Sequence, residues 1–455
     1  MKILLVRPPR IKQAITLSEL MFSEPIGLEM IYNAIKDEHE VEIFDMMIEK
    51  ISLSKKLREY MPEIIGITSL CIDVNMVRKL ADEAKEYNER IITIIGGTQS
   101  YLNPEAFFQD SVDHIFMFTN RENLSEFFRN FNKGLTNPIA GVLSKELNYN
   151  SVPIKGRNEY MLPDRTSTDK YRHQYSYFGY RPAAIAQFGT GCEKSCDFCL
   201  RWRIEGRREK INELELIKKD LMSIKESTIM FFDNDFFASE EKLMTFIDVA
   251  IELGLKKNYI VYGSVKGIIE YKEQLKTLKE LGLKAVLIGY ETFKDGELDT
   301  YNKKSTVSDN QKAAAILKDL KIDAWASFMA HPDWSVEDFR YFRRYIKKLS
   351  PEISSISPLT PFPNLPMYNK YRERLIYEMD DFEKWSFGQV MIEPSKITLK
   401  RYYYELLKTN LYVNLFINKK TEMINSYGFT NILRLLKGSL SALNKYIVLM
   451  IKAKS

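Results

Sequence analysis

The chain has 455 residues, 45% of them hydrophobic and 28% charged, with 4 cysteines. That balance suits a folded protein of about three domains and excludes a disordered chain, a collagen-like repeat and a small disulfide scaffold. The formal charge of +5 is too mild to argue for nucleic acid, and no apolar run approaches the ~18 residues of a spanning helix.

The opening MKILLVRPPR has a short apolar run and no small-residue cleavage site, so it reads as a buried strand over Lys2–Val6 and not as a signal peptide. Helix Gly27–Ile35, strands Glu40–Phe44 and Ile64–Ser69, helix Val77–Tyr87, strand Ile91–Ile95 and strand His114–Met117 follow. This alternation predicts an α/β domain over residues 1–147, a Rossmann-like (flavodoxin-like) parallel sheet with helices on both faces. Ligands of such sheets bind beyond the carboxyl ends of the strands, here the loops after Val6, Ser69 and Ile95. Residues 148–181 carry prolines and tyrosines with little periodicity and read as a linker. From Ala183 a second βα series begins, with strands Ala183–Phe188, Thr228–Phe232, Tyr259–Tyr262, Ala285–Gly289, Ala324–Phe328 and Ile353–Ile356. Six such units predict a partial (β/α)6 barrel over residues 182–377, with its chemistry at the carboxyl ends of the strands. Residues 378–455 read as a helical extension. From Ser395 onward it holds 11 Lys/Arg against 2 Asp/Glu, a net of +9 on an otherwise slightly acidic chain.

Three of the four cysteines, Cys192, Cys196 and Cys199, form a CxxxCxxC loop directly after the first barrel strand; Cys71 is distant and reads as a buried free thiol. Tight clustering of so few cysteines points to a metal or cluster site in a reducing, cytoplasmic setting. Three thiolates on one loop can hold three irons of a [4Fe–4S] cluster and leave the fourth iron open. Structural zinc asks for four protein ligands, and no further Cys or His lies close in sequence.

With Phe198 in the aromatic position of CxxxCx-aromatic-C, the chain resembles the radical S-adenosylmethionine (SAM) superfamily. The resemblance spans roughly residues 183–378. It implies that the open iron chelates SAM and that the reduced cluster cleaves SAM to a 5′-deoxyadenosyl radical. It also implies places for the SAM contacts. Asp233, Asn234 and Asp235 stand after the second strand where the family has a Gly-Gly-Glu-like segment. Ser264 and Lys266 stand after the third strand. Tyr290-Glu291 follows the fourth in a Gly-Ile-Glu-Ser-like context, with Lys304 in an Asn-Lys-Lys-like segment beyond it. His331, after the fifth strand, is the leading proton-transfer candidate, with Tyr290 beside it as a second catalytic candidate. A doubly wound domain ahead of such a barrel is similar to the cobalamin-binding subclass. Ser69, Gly96 and Gly97 then mark the strand ends that a flat macrocycle would approach. The Asp-x-His-x-x-Gly motif, whose histidine ligates cobalt in many relatives, is absent.

The expectation is therefore an enzyme that uses a [4Fe–4S] cluster, SAM and cobalamin to methylate an unactivated carbon of a small-molecule or lipid-like substrate. The alternatives are cobalamin-independent radical cyclisation, coupling or rearrangement with a degenerate first domain, and modification of RNA or a peptide. An electron donor such as flavodoxin or ferredoxin is implied by the resemblance. No nucleic-acid module is recognisable. The basic tail, including Arg434, Lys437, Lys445, Lys452 and Lys454, suits either packing over the barrel or peripheral contact with an anionic membrane.

Overall fold

The computed structural model of the protein describes residues 1–9, 11, 21–150, 156–418 and 429–453. Lys454 and the side chain of Arg434 lie outside that description. The first sheet contains β1 (Lys2–Arg7), β2 (Glu40–Asp45), β3 (Ile64–Ser69), β4 (Ile92–Gly97), β5 (His114–Phe116) and β6 (Val142–Ser144). Its spatial order is β2-β1-β3-β4-β5-β6, parallel throughout except for β6. The five parallel strands follow the 2-1-3-4-5 order of flavodoxin-like sheets. The antiparallel edge strand β6 is too short to leave a periodic signal in the sequence.

The second sheet contains β7 (Ala184–Ala186), β8 (Thr228–Phe231), β9 (Asn258–Gly263), β10 (Leu283–Glu291), β11 (Asp323–Ala330) and β12 (Ile353–Pro358). All six are parallel, and each pairs with its sequence neighbour. Helices on the outer face make this the expected partial barrel. Helix Val336–Leu349 shows why they form. Ser335 and Asp338 build a reciprocal cap at its start, and Phe339, Phe342, Ile346 and Leu349 recur at helical spacing on its buried face.

Residues 156–181, within the stretch that reads as a linker, form a strap buried between the two sheets. Arg165 and Arg172 lie 4% and 8% exposed among four carboxylates that are buried as deeply, Glu24, Glu29, Asp220 and Glu226. Arg165 reaches Glu24 at 2.6 Å and Asp220 at 2.7 Å; Arg172 reaches Glu24 and Glu226, each at 2.5 Å. Glu24 also accepts from the backbone N–H of Ile185 in β7 at 2.7 Å. Glu24 and Glu29 belong to the first domain, and Asp220 and Glu226 to the barrel. The network therefore fixes the orientation of the two sheets.

Residues 359–392 fold across the mouth of the barrel and supply most of an apolar cluster that includes Leu359, Phe362, Leu365, Met367, Tyr371 and Trp385. The helical tail packs elsewhere. Helix Leu399–Phe416 lies against helix Val336–Leu349 and β12, with Tyr402 Oη donating to Ala330 O at 2.7 Å, and helix Phe429–Lys452 lies against it through Tyr446 and Tyr403. The tail thus closes the flank of the barrel, and the preceding segment covers its mouth.

Burial and the neighbouring Glu24 push the Glu29 carboxyl up to about 8, so it carries a proton at neutral pH. Because this folded-state value lies above the ordinary carboxylate value, the folded state binds more protons than the unfolded state between about pH 4.5 and 8, and stability falls as pH rises through that window. Glu29→Gln, which mimics the protonated form, is expected to flatten this slope. Melting temperatures of both proteins from pH 5 to 9 check it; parallel curves would refute the assignment.

Candidate active site

The cysteine loop leaves β7 and is clipped at three places. Asn302 Nδ2 donates to Ser195 O at 3.0 Å, Trp202 Nε1 to Cys196 O at 3.0 Å, and Cys192 N to Gly206 O at 3.0 Å. Burial raises the three thiols, while the Lys194, Lys303 and Arg201 cations work in the opposite direction. The thiols are close enough to influence one another's ionisation. Yet among the described residues no three His, Cys, Asp or Glu side chains converge as a single metal ion would require. Three neighbouring soft donors backed by cations fit a multi-iron cluster, whereas structural zinc asks for a fourth protein ligand. Cys192, Cys196 and Cys199 would hold it.

The predicted SAM contacts divide by their surroundings. Asp233 is fully buried and accepts from Phe188 N at 2.9 Å, Gly189 N at 2.6 Å and Lys242 Nζ at 2.8 Å. It bolts the end of β8 to the start of the cysteine loop. Asn234 donates to Gly191 O and Glu205 and accepts from Arg201. Asp235 pairs with Lys194 and accepts from Ser264 N; although burial works the other way, Lys194 holds it below the ordinary carboxylate range. These three residues shape the loop, and each already has protein partners. Ser264 caps the helix Val265–Glu270 by accepting from Gly267 N, and Lys266 is exposed on that helix.

Glu291 ends β10 with φ +60 beside a register shift against β11. Left-handed backbone at a non-glycine residue, next to a bulge, re-aims the side chain. Its carboxylate meets Lys303 at 2.5 Å. Burial would lower Lys303, but Glu291 and the adjacent thiols push it up to about 12. The lysine at the cysteine loop is therefore Lys303 and not the expected Lys304, which is exposed. Lys303 also lies 5.7 Å from the centroid of the Phe198 ring, which packs edge-on against Tyr301. Gly289 keeps room for the ion pair. A Cβ there would overlap the Glu291 carboxylate and stand 2.7 Å from Lys303 Nζ.

The two expected catalytic residues separate. Tyr290 is fully buried between the sheet and the outer helices, 5.9 Å from the Phe328 ring centroid, with its carbonyl accepting from Asn310. The bulge that turns Glu291 toward the cysteines leaves Tyr290 in the packing layer, so its hydroxyl does not share the site. His331 does face the mouth cluster. Its Nε2 is 3.0 Å from Tyr371 Oη, and its Nδ1 accepts from Asp333 N at 3.1 Å. Burial lowers His331, which favours the neutral ring, and burial pushes Tyr371 up to about 12. With Nδ1 accepting, the ring proton falls on Nε2, toward Tyr371. Sequence reading chose Lys304 over its neighbour Lys303 in the Asn-Lys-Lys-like segment, and missed Tyr371, Lys194, Lys242 and Glu205. An exposed lysine and a buried one look alike in sequence, and Tyr371 arrives from a segment with no periodic signal.

In the first domain, Ser69 donates to Gly96 O at 2.8 Å. Gly97 has φ +102 and approaches Ser69 so closely that a Cβ would lie 2.7 Å from its backbone N, whereas a Cβ at Gly96 would meet nothing within 4 Å. The first glycine thus opens onto free space at the strand end and the second makes the turn, which suits the approach of a flat macrocycle. None of the four histidines lies on this edge. His39 and His114 sit at the opposite ends of β2 and β5, His173 on the strap and His331 at the barrel. Cys71, just past β3, packs into the mouth cluster that also touches Phe198 and Leu200 of the cysteine loop. The carboxyl ends of both sheets therefore meet at one apolar cluster.

A partial barrel with a three-cysteine loop, packed through one apolar cluster against a flavodoxin-like sheet, defines the class. Residues 187–346 match the family model of the radical SAM superfamily, and residues 15–128 match that of the B12-binding domain. The chain is a radical SAM enzyme with an N-terminal B12-binding domain, so the cofactors are those expected from the sequence: a [4Fe–4S] cluster and SAM for the barrel, cobalamin for the first domain. It is 25% identical to the hopanoid C-3 methylase of Methylococcus capsulatus over 403 residues, covering 85% of this chain and 75% of that protein. It is 22% identical to the bacteriochlorophyllide d C-8(2)-methyltransferase of Chlorobaculum tepidum, covering 94% and 93%. Its fold resembles OxsB, a cobalamin-dependent SAM radical enzyme solved with aqua-cobalamin and SAM, at a TM-score of 0.69 and 14% identity, over 99% of this chain and 79% of that one. It also resembles the radical SAM methyltransferase TsrM of Kitasatospora setae, at 0.65 and 17%, over 82% and 76%. Three of these four relatives are methylases or methyltransferases by name, and OxsB is cobalamin-dependent.

Gly289→Ala is expected to displace the Glu291–Lys303 pair. Reconstituted anaerobically, the variant should keep its iron but bind SAM at least about tenfold more weakly, a loss of ~1.4 kcal/mol. Equal affinity by equilibrium dialysis would place the pair outside the SAM site.

Proposed function

We propose that the protein methylates an unactivated carbon of an apolar, lipid-like small molecule. One observation carries this reading: the carboxyl edge of the B12-binding sheet and the cysteine loop share one apolar cluster, with Cys71 on one side and Phe198 on the other. When bound, the cluster would deliver an electron to SAM and release a 5′-deoxyadenosyl radical, and cobalamin would carry the methyl group. The chain's own residues do the rest. Cys192, Cys196 and Cys199 would hold the cluster by three thiolates, and Lys303 offsets the charge of the thiolates while Glu291 orients it. Met329, Leu359, Phe362 and Met367 form an apolar wall beside the cysteine loop, which would keep water from a radical and favours an apolar substrate. His331, in contact with Tyr371, is placed to move a proton at Nε2. A flavodoxin- or ferredoxin-type donor would supply electrons. The hopanoid and bacteriochlorophyllide relatives, both acting on large hydrophobic molecules, favour this substrate class.

Anaerobic purification with cobalamin supplied, followed by metal analysis, should yield about four irons and one cobalt per chain. Incubation with SAM, a reductant and lipid extracts should then give products heavier by one methylene, and Cys196→Ala should abolish SAM cleavage. Iron without cobalt, together with unmethylated cyclised or coupled products, would sink methylation as the reaction.

The tail supports delivery of a lipid substrate. Leu433, Leu436, Leu440, Ile447 and Ile451 are exposed at helical spacing on helix Phe429–Lys452, beside exposed Lys437 and Lys452. Leu415 and Phe416 extend the exposed apolar surface on helix Leu399–Phe416. Among the described residues no helix is long and apolar enough to cross a membrane. An apolar stripe with lysines would instead rest on an anionic lipid surface. Leu440→Asp with Ile451→Asp is expected to cut co-sedimentation with phosphatidylglycerol vesicles about tenfold or more, each side chain losing roughly 1.5–3 kcal/mol of burial. Unchanged sedimentation would return the stripe to solvent.

A further inference from the structure

We infer that a second binding site, for an organic anion bearing a phosphate or carboxylate group, lies between the two domains next to the cysteine loop. A cavity of about 540 Å³ opens there, within the size range of small-ligand sites. Three arginines line it: Arg157 from the strap, and Arg203 and Arg207 from the helix Arg201–Glu205 and the turn after it. None of them forms an ion pair with a carboxylate among the described residues. Their neighbour Arg201 behaves differently, pairing with Glu205 at 2.9 Å. Of the arginines after the cysteine loop, Arg201 is thus spent on the loop, while Arg203 and Arg207 line the cavity.

Three guanidiniums around one cavity repel each other and gain from an anion that joins them. Guanidinium also offers paired donors matched to phosphate and carboxylate oxygens. The trio is partly organised in advance. The Arg207 and Arg203 guanidinium carbons lie 4.7 and 5.6 Å from the Trp202 ring centroid, and Trp202 is itself held by its bond to Cys196 O. The cavity bridges the domains. Tyr101 Oη donates to Arg203 O at 3.3 Å, and Asn364 Nδ2 donates to Leu102 O at 2.9 Å. Tyr101 and Leu102 belong to the short helix Thr98–Leu102 that starts directly after Gly97. The site is therefore next to the edge where cobalamin binds, and cobalamin carries a phosphodiester in its nucleotide tail. A phosphate or carboxylate on the substrate, or free in solution, presents the same chemistry.

The test uses the iron-reconstituted 455-residue chain and its Arg203→Met/Arg207→Met variant, with iron content and circular dichroism as checks of folding. Arg157→Gln, on a separate segment, serves if the double variant does not fold. Equilibrium binding is measured for cobalamin, for cobinamide, which lacks the phosphodiester, and for inorganic pyrophosphate. Loss of one charge-assisted contact should weaken the ligand at least about tenfold. If the site takes the tail of cobalamin, the variant loses cobalamin affinity and keeps cobinamide affinity. If it takes a substrate or free anion, cobalamin binding is unchanged and pyrophosphate binding is lost. Equal affinity of variant and native protein for all three probes overturns the site, as does parallel weakening of cobalamin and cobinamide with no change in pyrophosphate. Only the cobalamin arm depends on the functional reading above. Failure of the native protein to bind any corrinoid would count against that reading, while the pyrophosphate arm would still decide the anion site.

Discussion

Two arginines on a strap, buried among four carboxylates, decide how this molecule is put together. Arg165 and Arg172 each touch acids from both domains, and Glu24 adds a backbone bond into the first barrel strand. Charges buried at this depth are tolerated only while paired, so peeling the strap from either sheet would leave a guanidinium or a carboxylate stranded. With four acids and two bases the cluster also needs a proton, and Glu29 is the group that holds it. Geometry and protonation together lock the carboxyl edge of one sheet toward the mouth of the other.

Everything chemical follows from that orientation. Thiols held on the loop after β7, cations arriving after β10 and β7, and the mouth segment over 359–392 close one space from the barrel side; Cys71 and the glycine edge close it from the other. In the proposed reaction the apolar wall would keep water from a radical, and Glu291 and Lys303 form an ion pair beside the cysteine loop. The same juxtaposition also brings Tyr101 and Leu102 against Trp202 and the arginines, so the interdomain cavity arises from the strap as well.

The tail shows a different economy. Its tyrosines satisfy hydroxyls inside the flank, as Tyr402 does on Ala330 O, while its leucines face outward. Packing and surface contact, which looked like rival uses of the segment, fall on opposite faces of the same helices. A helix of period 3.6 can serve both.

How much could be read in advance depended on the range of the signal. The order of strands and helices, both sheet classes and the cysteine triad are local patterns: alternation of period two and 3.6, glycines at strand ends, three thiols within eight positions. These were legible in the sequence alone, and so was the absence of a cobalt-ligating histidine motif. Which lysine meets Glu291 was not legible, because Lys303 and Lys304 are neighbours of identical type and a bulge with left-handed backbone chooses between them. The same bulge sends Tyr290 into the packing layer. Asp233 read as a ligand contact until Phe188, Gly189 and Lys242 came together around it. The strap read as a linker because its arginines find their partners up to 148 residues away, as Arg172 does in Glu24. Charge pairing over such separations leaves no period in the chain; only tertiary structure assigns the partners, since burial sets which charges must be neutralised.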